Sequence, residues 1–510
     1  MAGPLRRGGE VLIPHIADDS HRLSILTMHE IDDLYGLPRF TDEDRLAYFD
    51  LSEAERRMID SRTTSVAMHL TLQLGYFKAK HQFFQYNHDT VHDDLFHILG
   101  RYFPGTDLAD VNMPSRPTQY ALQQSILELL GFRSCDNALR AELERRAQRT
   151  AMLSTQPIYI LRESLQYLNQ QHLVAPAYTF LQDMVGRVVT GERKRLTSLL
   201  DAALTPEVKD QLDTLLQTGE SACWIGALKR EPKDFSYKEL RQEVARRQSF
   251  VPLHAFAGQF LPSARISTEN GRYYASLVQF YTVYKLQRMA VSTARLYLLC
   301  FASHRFRQIN DNLIEAFIHL VDQYEQEAKL GAEAAALKAM TEASTNLKAG
   351  GQVLNLFLDP SIADWTPFSM VRQKAFSLLN PDRFIQVSDY MQKIEFDRTA
   401  FEWAYYGTLH FKFKLNLRHL FCNLDFAGLV EDAPLLEAVA FLQSLLREGK
   451  SLRQVPPADF PRGVIAKGVQ RYMYTAAEKR KDKRLEVDRY EFLVSKLLIS
   501  TRGILVHEEI

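Results

Sequence analysis

Apolar residues recur along this chain at intervals of three and four. Leu122, Ile126, Leu129 and Leu130 make one such stripe; Leu277, Phe280, Tyr281, Tyr284 and Leu286 make another. That spacing lines one face of a 3.6-residue helix, whereas a half-buried strand would alternate at every second residue. Useful stretches of alternation are hard to find. The expected fold class is therefore mainly α, with several tandem small helical domains. Punctuation marks the joints. Gly36-Leu37-Pro38 breaks one helix, and Thr41-Asp42-Glu43-Asp44 opens the next with a cap and first-turn acids. Phe103-Pro104-Gly105-Thr106-Asp107 closes a first unit and Ser115-Arg116-Pro117-Thr118 starts a second. Glu231-Pro232-Lys233-Asp234 begins a third, and an Ala/Glu/Lys-rich stretch from Ala328 to Met340 predicts a long exposed helix leading to a loop at Gly350-Gly351. The expected domains are 1–107, 108–228, 229–327 and 328–510.

Length and composition narrow the class. A chain of 510 residues exceeds what one core holds, and 46% hydrophobic with 24% charged residues is ordinary for globular domains. No run approaches the ~18–20 apolar residues of a membrane span, and the start lacks the apolar region of a signal peptide. Cys135, Cys223, Cys300 and Cys422 are scattered singly, as structural thiols in a reducing cytoplasm would be. Sixty-two basic residues cancel sixty-two acidic ones, yet the charges segregate. Residues 1–60 hold seven Arg against thirteen Asp/Glu, residues 131–200 ten Lys/Arg against six, and residues 229–310 fourteen against five. A DNA backbone would be met in the second and third units, where the positive field is local.

The strongest local signal is a helix-turn-helix-like pair. Pro157–Gln170 reads as an amphipathic helix with proline in its first turn, and His172-Leu173-Val174-Ala175-Pro176 ends it. A second helix follows from Ala177 through Thr190, then the basic cluster Gly191-Glu192-Arg193-Lys194-Arg195. A recognition helix reads base edges near its amino end, here Tyr178, Thr179 and Gln182, while cations such as Arg187, Arg193, Lys194 and Arg195 clamp phosphates. The plain alternative is a helical hairpin with a solvated charged end. Arg116, Thr118, Gln119 and Gln123 place base-competent groups at another helix start, where capping is the competing account. The segment Arg272-Tyr273-Tyr274 through Lys285 and Arg288 interleaves aromatics with cations, as nucleic-acid surfaces do. Its rings also fit an ordinary core. Arg265, Arg272, Lys285, Arg288, Arg295, Arg305 and Arg307 are the better contact candidates, and Lys479–Arg484 is a further basic run.

Enzyme signals are absent. His88 and His92 have zinc-ligand spacing, among His81 and His97, but no third ligand or HExxH frame accompanies them. There is no phosphate-binding P-loop, GxSxG elbow or strand-borne GxGxxG. Asp32-Asp33 and Asp93-Asp94 sit near helix starts, where capping accounts for them.

Several stretches together resemble one family, the replicative, cointegrate-forming transposases of the Tn-three type. They are Leu34-Tyr35-Gly36-Leu37-Pro38-Arg39-Phe40-Thr41 with Arg45 and Tyr48-Phe49-Asp50-Leu51-Ser52; Leu72-Gln73-Leu74-Gly75-Tyr76-Phe77-Lys78-Ala79-Lys80 with Phe83-Phe84; and Val174-Ala175-Pro176-Ala177-Tyr178 with Leu181-Gln182 and Gly191-Glu192-Arg193. Tyr273-Tyr274-Ala275-Ser276-Leu277, Tyr297-Leu298-Leu299-Cys300-Phe301 and Asn310-Asp311-Asn312-Leu313 continue the same order. The similarity runs from about residue 22 to the end.

The resemblance implies helical DNA-binding domains that grip terminal inverted repeats, followed by a helical dimerisation or scaffold region. The family's RNase-H-like domain, with its DDE carboxylates and magnesium, comes after the segment that Tyr490-Glu491-Phe492-Leu493 to Gly503-Ile504-Leu505-Val506 resembles. The expectation is thus a DNA-binding part of a bacterial transposase, truncated before its catalytic domain, with no enzyme activity, catalytic residue, metal or cofactor of its own. Expected partners are double-stranded DNA, a second copy or a full-length transposase, at the cytoplasmic nucleoid and not at a membrane. The alternative is a helical scaffold without DNA specificity.

Overall fold

A computed structural model describes residues 23–217, 225–393, 397–408, 411–476 and 483–500. Among the described residues there are twenty-two α-helices and one antiparallel pair of three-residue strands, so the fold is mainly α. Packing divides the chain into two compact units. The first is Met1–Gly226 with Pro252–His304, and the second is Ala227–Val251 with Arg305–Ile510.

The first unit opens with three short helices, α1 (Met28–Tyr35), α2 (Asp42–Tyr48) and α3 (Glu53–Asp60). Each starts on a capping box, formed by Thr27 with Glu30, Thr41 with Asp44, and Ser52 with Glu55. These boxes satisfy amide donors that a helix start leaves unpaired, as the Thr41-Asp42-Glu43-Asp44 signal predicts. Helix α4 (Thr64–Lys80) is apolar on nearly every side and becomes the centre of its region. One side packs on Phe49 and on Leu95 and Ile98 of α5 (His92–Tyr102). Another packs on Ile59 and on Leu122 and Ile126 of α6 (Arg116–Leu130). Gly75 lies at the tightest point, where a Cβ would fall 2.3 Å from the buried Phe49 ring. Asp94 does not cap α5. It is buried, accepting from the Tyr76 hydroxyl at 2.6 Å and from Arg45 Nε at 2.8 Å. The reason is that α5 begins at His92 after a 3-10 turn, which turns its third residue toward the core.

Helices α7 (Asn137–Leu153), α8 (Pro157–Gln170) and α9 (Tyr178–Ala203) pack around Leu143, Ala147, Ile160, Leu161, Leu181, Met184 and Val185. Helix α9 does not stop at Thr190. Glu192, Leu196 and Leu200 extend the buried stripe of Leu181, Val185 and Val188, so the basic cluster lies inside the helix. Next come α10 (Pro206–Thr214), α11 (Ile225–Leu228), α12 (Tyr237–Ser263), α13 (Thr268–Phe280) and α14 (Val283–Gln287).

Helix α15 (Val291–Leu354) runs 64 residues, straight through the loop expected at Gly350-Gly351. In the second unit α16 (Phe368–Leu378) and α17 (Pro381–Lys393) follow it. A Cβ on Gly350 would lie 2.9 Å from the Met391 sulfur, so this glycine serves close approach of α17 to α15 and breaks nothing. The unit is completed by α18 (Arg398–Tyr406), α19 (Phe411–Asn423), α20 (Ala433–Arg447), α21 (Gln470–Met473), β1 (Tyr474–Ala476), β2 (Lys483–Leu485) and α22 (Val487–Ser500). Its core stacks Tyr324 on Phe413 and Tyr406 on Phe492, with centroids 4.1 and 3.9 Å apart. Buried Asp488 is met by Lys414 and Arg453, and buried Glu491 by both arms of Arg418. Charges taken out of water require such partners.

Candidate nucleic-acid interface

The amino end of α9 is covered. Tyr178 accepts the Leu26 amide at 3.2 Å, and its ring lies 6.0 Å from that of Tyr35. Tyr35 in turn donates to the Pro176 carbonyl at 3.2 Å, and burial raises its pKa. Gln182 Nε2 donates to the Leu23 carbonyl at 2.8 Å. Leu26, Ile25, Ile31 and Tyr35 join the α7–α9 core, so the segment around α1 lies where a recognition helix would present base-reading side chains. Of the three predicted readers only Thr179 is exposed. The turn between α8 and α9 is also tied down, by a parallel bridge between Leu173 and Arg133.

The phosphate-clamp candidates fare differently. Arg187 forks onto Glu144 at 3.2 and 3.1 Å, and that carboxylate raises the Arg187 pKa. Arg195 forks onto Glu192 at 2.8 and 2.7 Å and also donates to the Ala264 carbonyl. Arg193 is half-buried and lies near Tyr297 and Tyr273, while Lys194 is exposed. At the start of α6, Arg116 is exposed and Thr118 meets the Ser115 capping hydroxyl at 2.9 Å. Gln119 donates to the Pro114 carbonyl at 2.9 Å and Gln123 is half-buried, so local capping accounts for Thr118 and Gln119.

Arg265 and Arg272 are exposed. Lys285 sits 3.8 Å over the Tyr281 ring, and Arg288 lies over Tyr284 while donating to its hydroxyl at 3.2 Å. These pairs give α14 an exposed cationic and aromatic end. Arg295 is held by both oxygens of Asp213. Arg305 is a correction. Only 2% exposed, it donates to the Leu228 and Arg230 carbonyls and pairs with buried Glu243, so it holds the second unit together and faces no solvent. Arg307 is exposed. Of the run Lys479–Arg484, residues 479–482 lie outside the described residues, as does Cys223; Arg484 is exposed on β2.

What sequence reasoning missed is the partner of α9. Arg145 and Arg149 of α7 face it across a groove that Glu144, Arg187, Glu192 and Arg195 also line. Arg140, Arg145, Arg146 and Arg149 crowd one helix, and their spacing was the signal available. The groove gathers four guanidinium groups with two carboxylates, an arrangement suited to a polyanion and without a nucleophile or metal cluster. No group of three metal-ligating side chains occurs among the described residues. His88 instead stacks on His69, with their Nε2 atoms 3.4 Å apart.

A family model described as Domain of unknown function (DUF4158) matches residues 25–188, from before α1 to the middle of α9. That domain is found in Tn-three family transposases. No curated protein matches the chain. Among the described residues no helix is long and apolar enough to cross a membrane.

Proposed function

We propose that this chain is the DNA-binding part of a transposase and recognises the terminal inverted repeats of a transposon. The match to the transposase-associated domain over residues 25–188 carries this reading. The arginine groove that begins inside that span and extends past it to Arg195, and the cationic end of α14, support it, because backbone neutralisation dominates affinity for duplex DNA. In this reading the chain cuts no strand. Magnesium-dependent chemistry belongs to the DDE domain of the transposase, in the bacterial cytoplasm at the nucleoid.

The test is fluorescence anisotropy across a salt series, comparing the terminal repeat flanking the gene with a scrambled duplex of equal length. At least tenfold tighter binding to the repeat is expected. Equal and feeble binding to both would overturn the reading.

One observation favours a second role alongside it. Leu330, Leu337, Met340, Leu347 and Leu354 on α15 are each more than half exposed. Their spacings of seven, three, seven and seven residues form the stripe that a second helix packs into. We assign that stripe to a second copy of this chain. Sedimentation should show a dimer that Leu337→Glu with Leu347→Glu dissociates; a wild-type monomer at high concentration would remove this role.

A further inference from the structure

We propose that the groove between α7 and α9 receives one sugar-phosphate strand of duplex DNA, and that Glu144 restrains the affinity through its negative charge beside Arg187. This rests on the DNA-binding reading and names the surface and its internal regulator. Arg145 and Arg149 are four residues apart and form one ridge of the groove; Arg187, Gly191 and Arg195 form the other at the same interval.

Three of these cations can turn toward a phosphate at little cost. Arg149 makes no ion pair among the described residues. Arg145 pairs with Glu142 and Arg187 with Glu144, but the side chains of both arginines are more than half exposed, where ion pairs contribute little. Arg195 differs, because Glu192 is 7% exposed and the Ala264 carbonyl also holds the guanidinium. It fixes the floor while the other three move. The planar fork of arginine matches two phosphate oxygens, so a row of guanidinium groups suits a phosphodiester strand.

Space agrees with charge. A Cβ built on Gly191 meets no atom within 4 Å, so a strand can approach the α9 backbone there from outside. The covered amino end of α9 makes this surface one that positions the duplex by its backbone. Glu144 is the opposing element. A bound phosphate must displace it from Arg187 and then lie beside its negative charge.

Anisotropy titrations of the full chain against the repeat and scrambled duplexes, over a salt series, test this. Arg145→Ala with Arg149→Ala should weaken binding to both duplexes roughly tenfold. The log–log salt slope should become shallower by about 0.9 for each lost contact. Gly191→Leu should weaken binding with no change of charge, by filling the groove. Glu144→Gln should tighten binding severalfold and steepen the slope. Circular-dichroism melts identify any variant that fails to fold, and the gain from Glu144→Gln cannot come from misfolding. If wild type binds neither duplex, the DNA-binding reading itself fails. If it binds and all three variants match it, the groove assignment alone is overturned. Binding of poly-glutamate in place of DNA, lost in the arginine variant, would overturn it in favour of an acidic protein partner.

Discussion

His69 shows how a single side chain ties this fold to pH. It is 1% exposed, with Nδ1 2.9 Å from the Tyr86 hydroxyl and its ring stacked on His88. Burial, aided by His88, pushes its pKa down to about 4. The unfolded chain therefore takes up this proton first. The stability that neutral His69 contributes is intact above pH ~6.5 and drains away as pH falls toward 4. The slope from this residue is at most about 1.4 kcal/mol per pH unit. Melting temperatures measured from pH 7.5 to 4.5 should fall less steeply for His69→Gln than for wild type. Parallel curves would show that the proton uptake lies elsewhere. The sequence drew attention to the wrong histidines for a local reason. His88 and His92 have ligand spacing, but the helix begins only at His92, so His88 instead meets a residue nineteen positions earlier.

At the scale of elements, periodicity and caps were legible because both are short-range. The Thr41 box, the first-turn Pro157 and the α8–α9 hairpin follow from residues within a turn or two of each other. Two helix ends were misread. Gly350-Gly351 looked like a breaker, and the basic cluster after Thr190 looked like an end, yet Met391 and the buried stripe through Leu200 settle both. What covers the front of α9 was invisible, since Leu26 and Tyr178 stand 152 positions apart. A substitution separates packing from reading. Tyr178→Phe removes the hydroxyl that accepts the Leu26 amide and should reduce stability by about 1 kcal/mol. Discrimination between repeat and scrambled DNA should not change. Lost discrimination at unchanged stability would return Tyr178 to the role of a base reader.

For the whole molecule, a formal charge of zero conceals an uneven distribution that only the fold resolves. The acidic start of the chain and the arginine-bearing helices belong to one unit, so no sum over that unit announces a basic surface. Positive charge is assembled instead by packing α7 against α9, and α13 docks on the end of α7. Asn270, wholly buried, makes that joint. Its amide nitrogen donates to the Ala151 carbonyl at 2.9 Å and the Met152 carbonyl at 3.2 Å, while its oxygen accepts the Thr155 amide. Ser267 adds a bond to the Leu153 carbonyl. Asn270→Ala would leave the Thr155 amide without its acceptor and the Ala151 and Met152 carbonyls without this donor, and should cost about 2–4 kcal/mol. It also loosens the end of α7, where Met152 lines the groove, while every cation there is kept. Chemical denaturation should therefore show the loss of stability, and anisotropy at a temperature where the variant is still folded should show weaker binding to both duplexes. Full affinity in a destabilised but folded variant would mean that α7 and α9 form the DNA surface without α13.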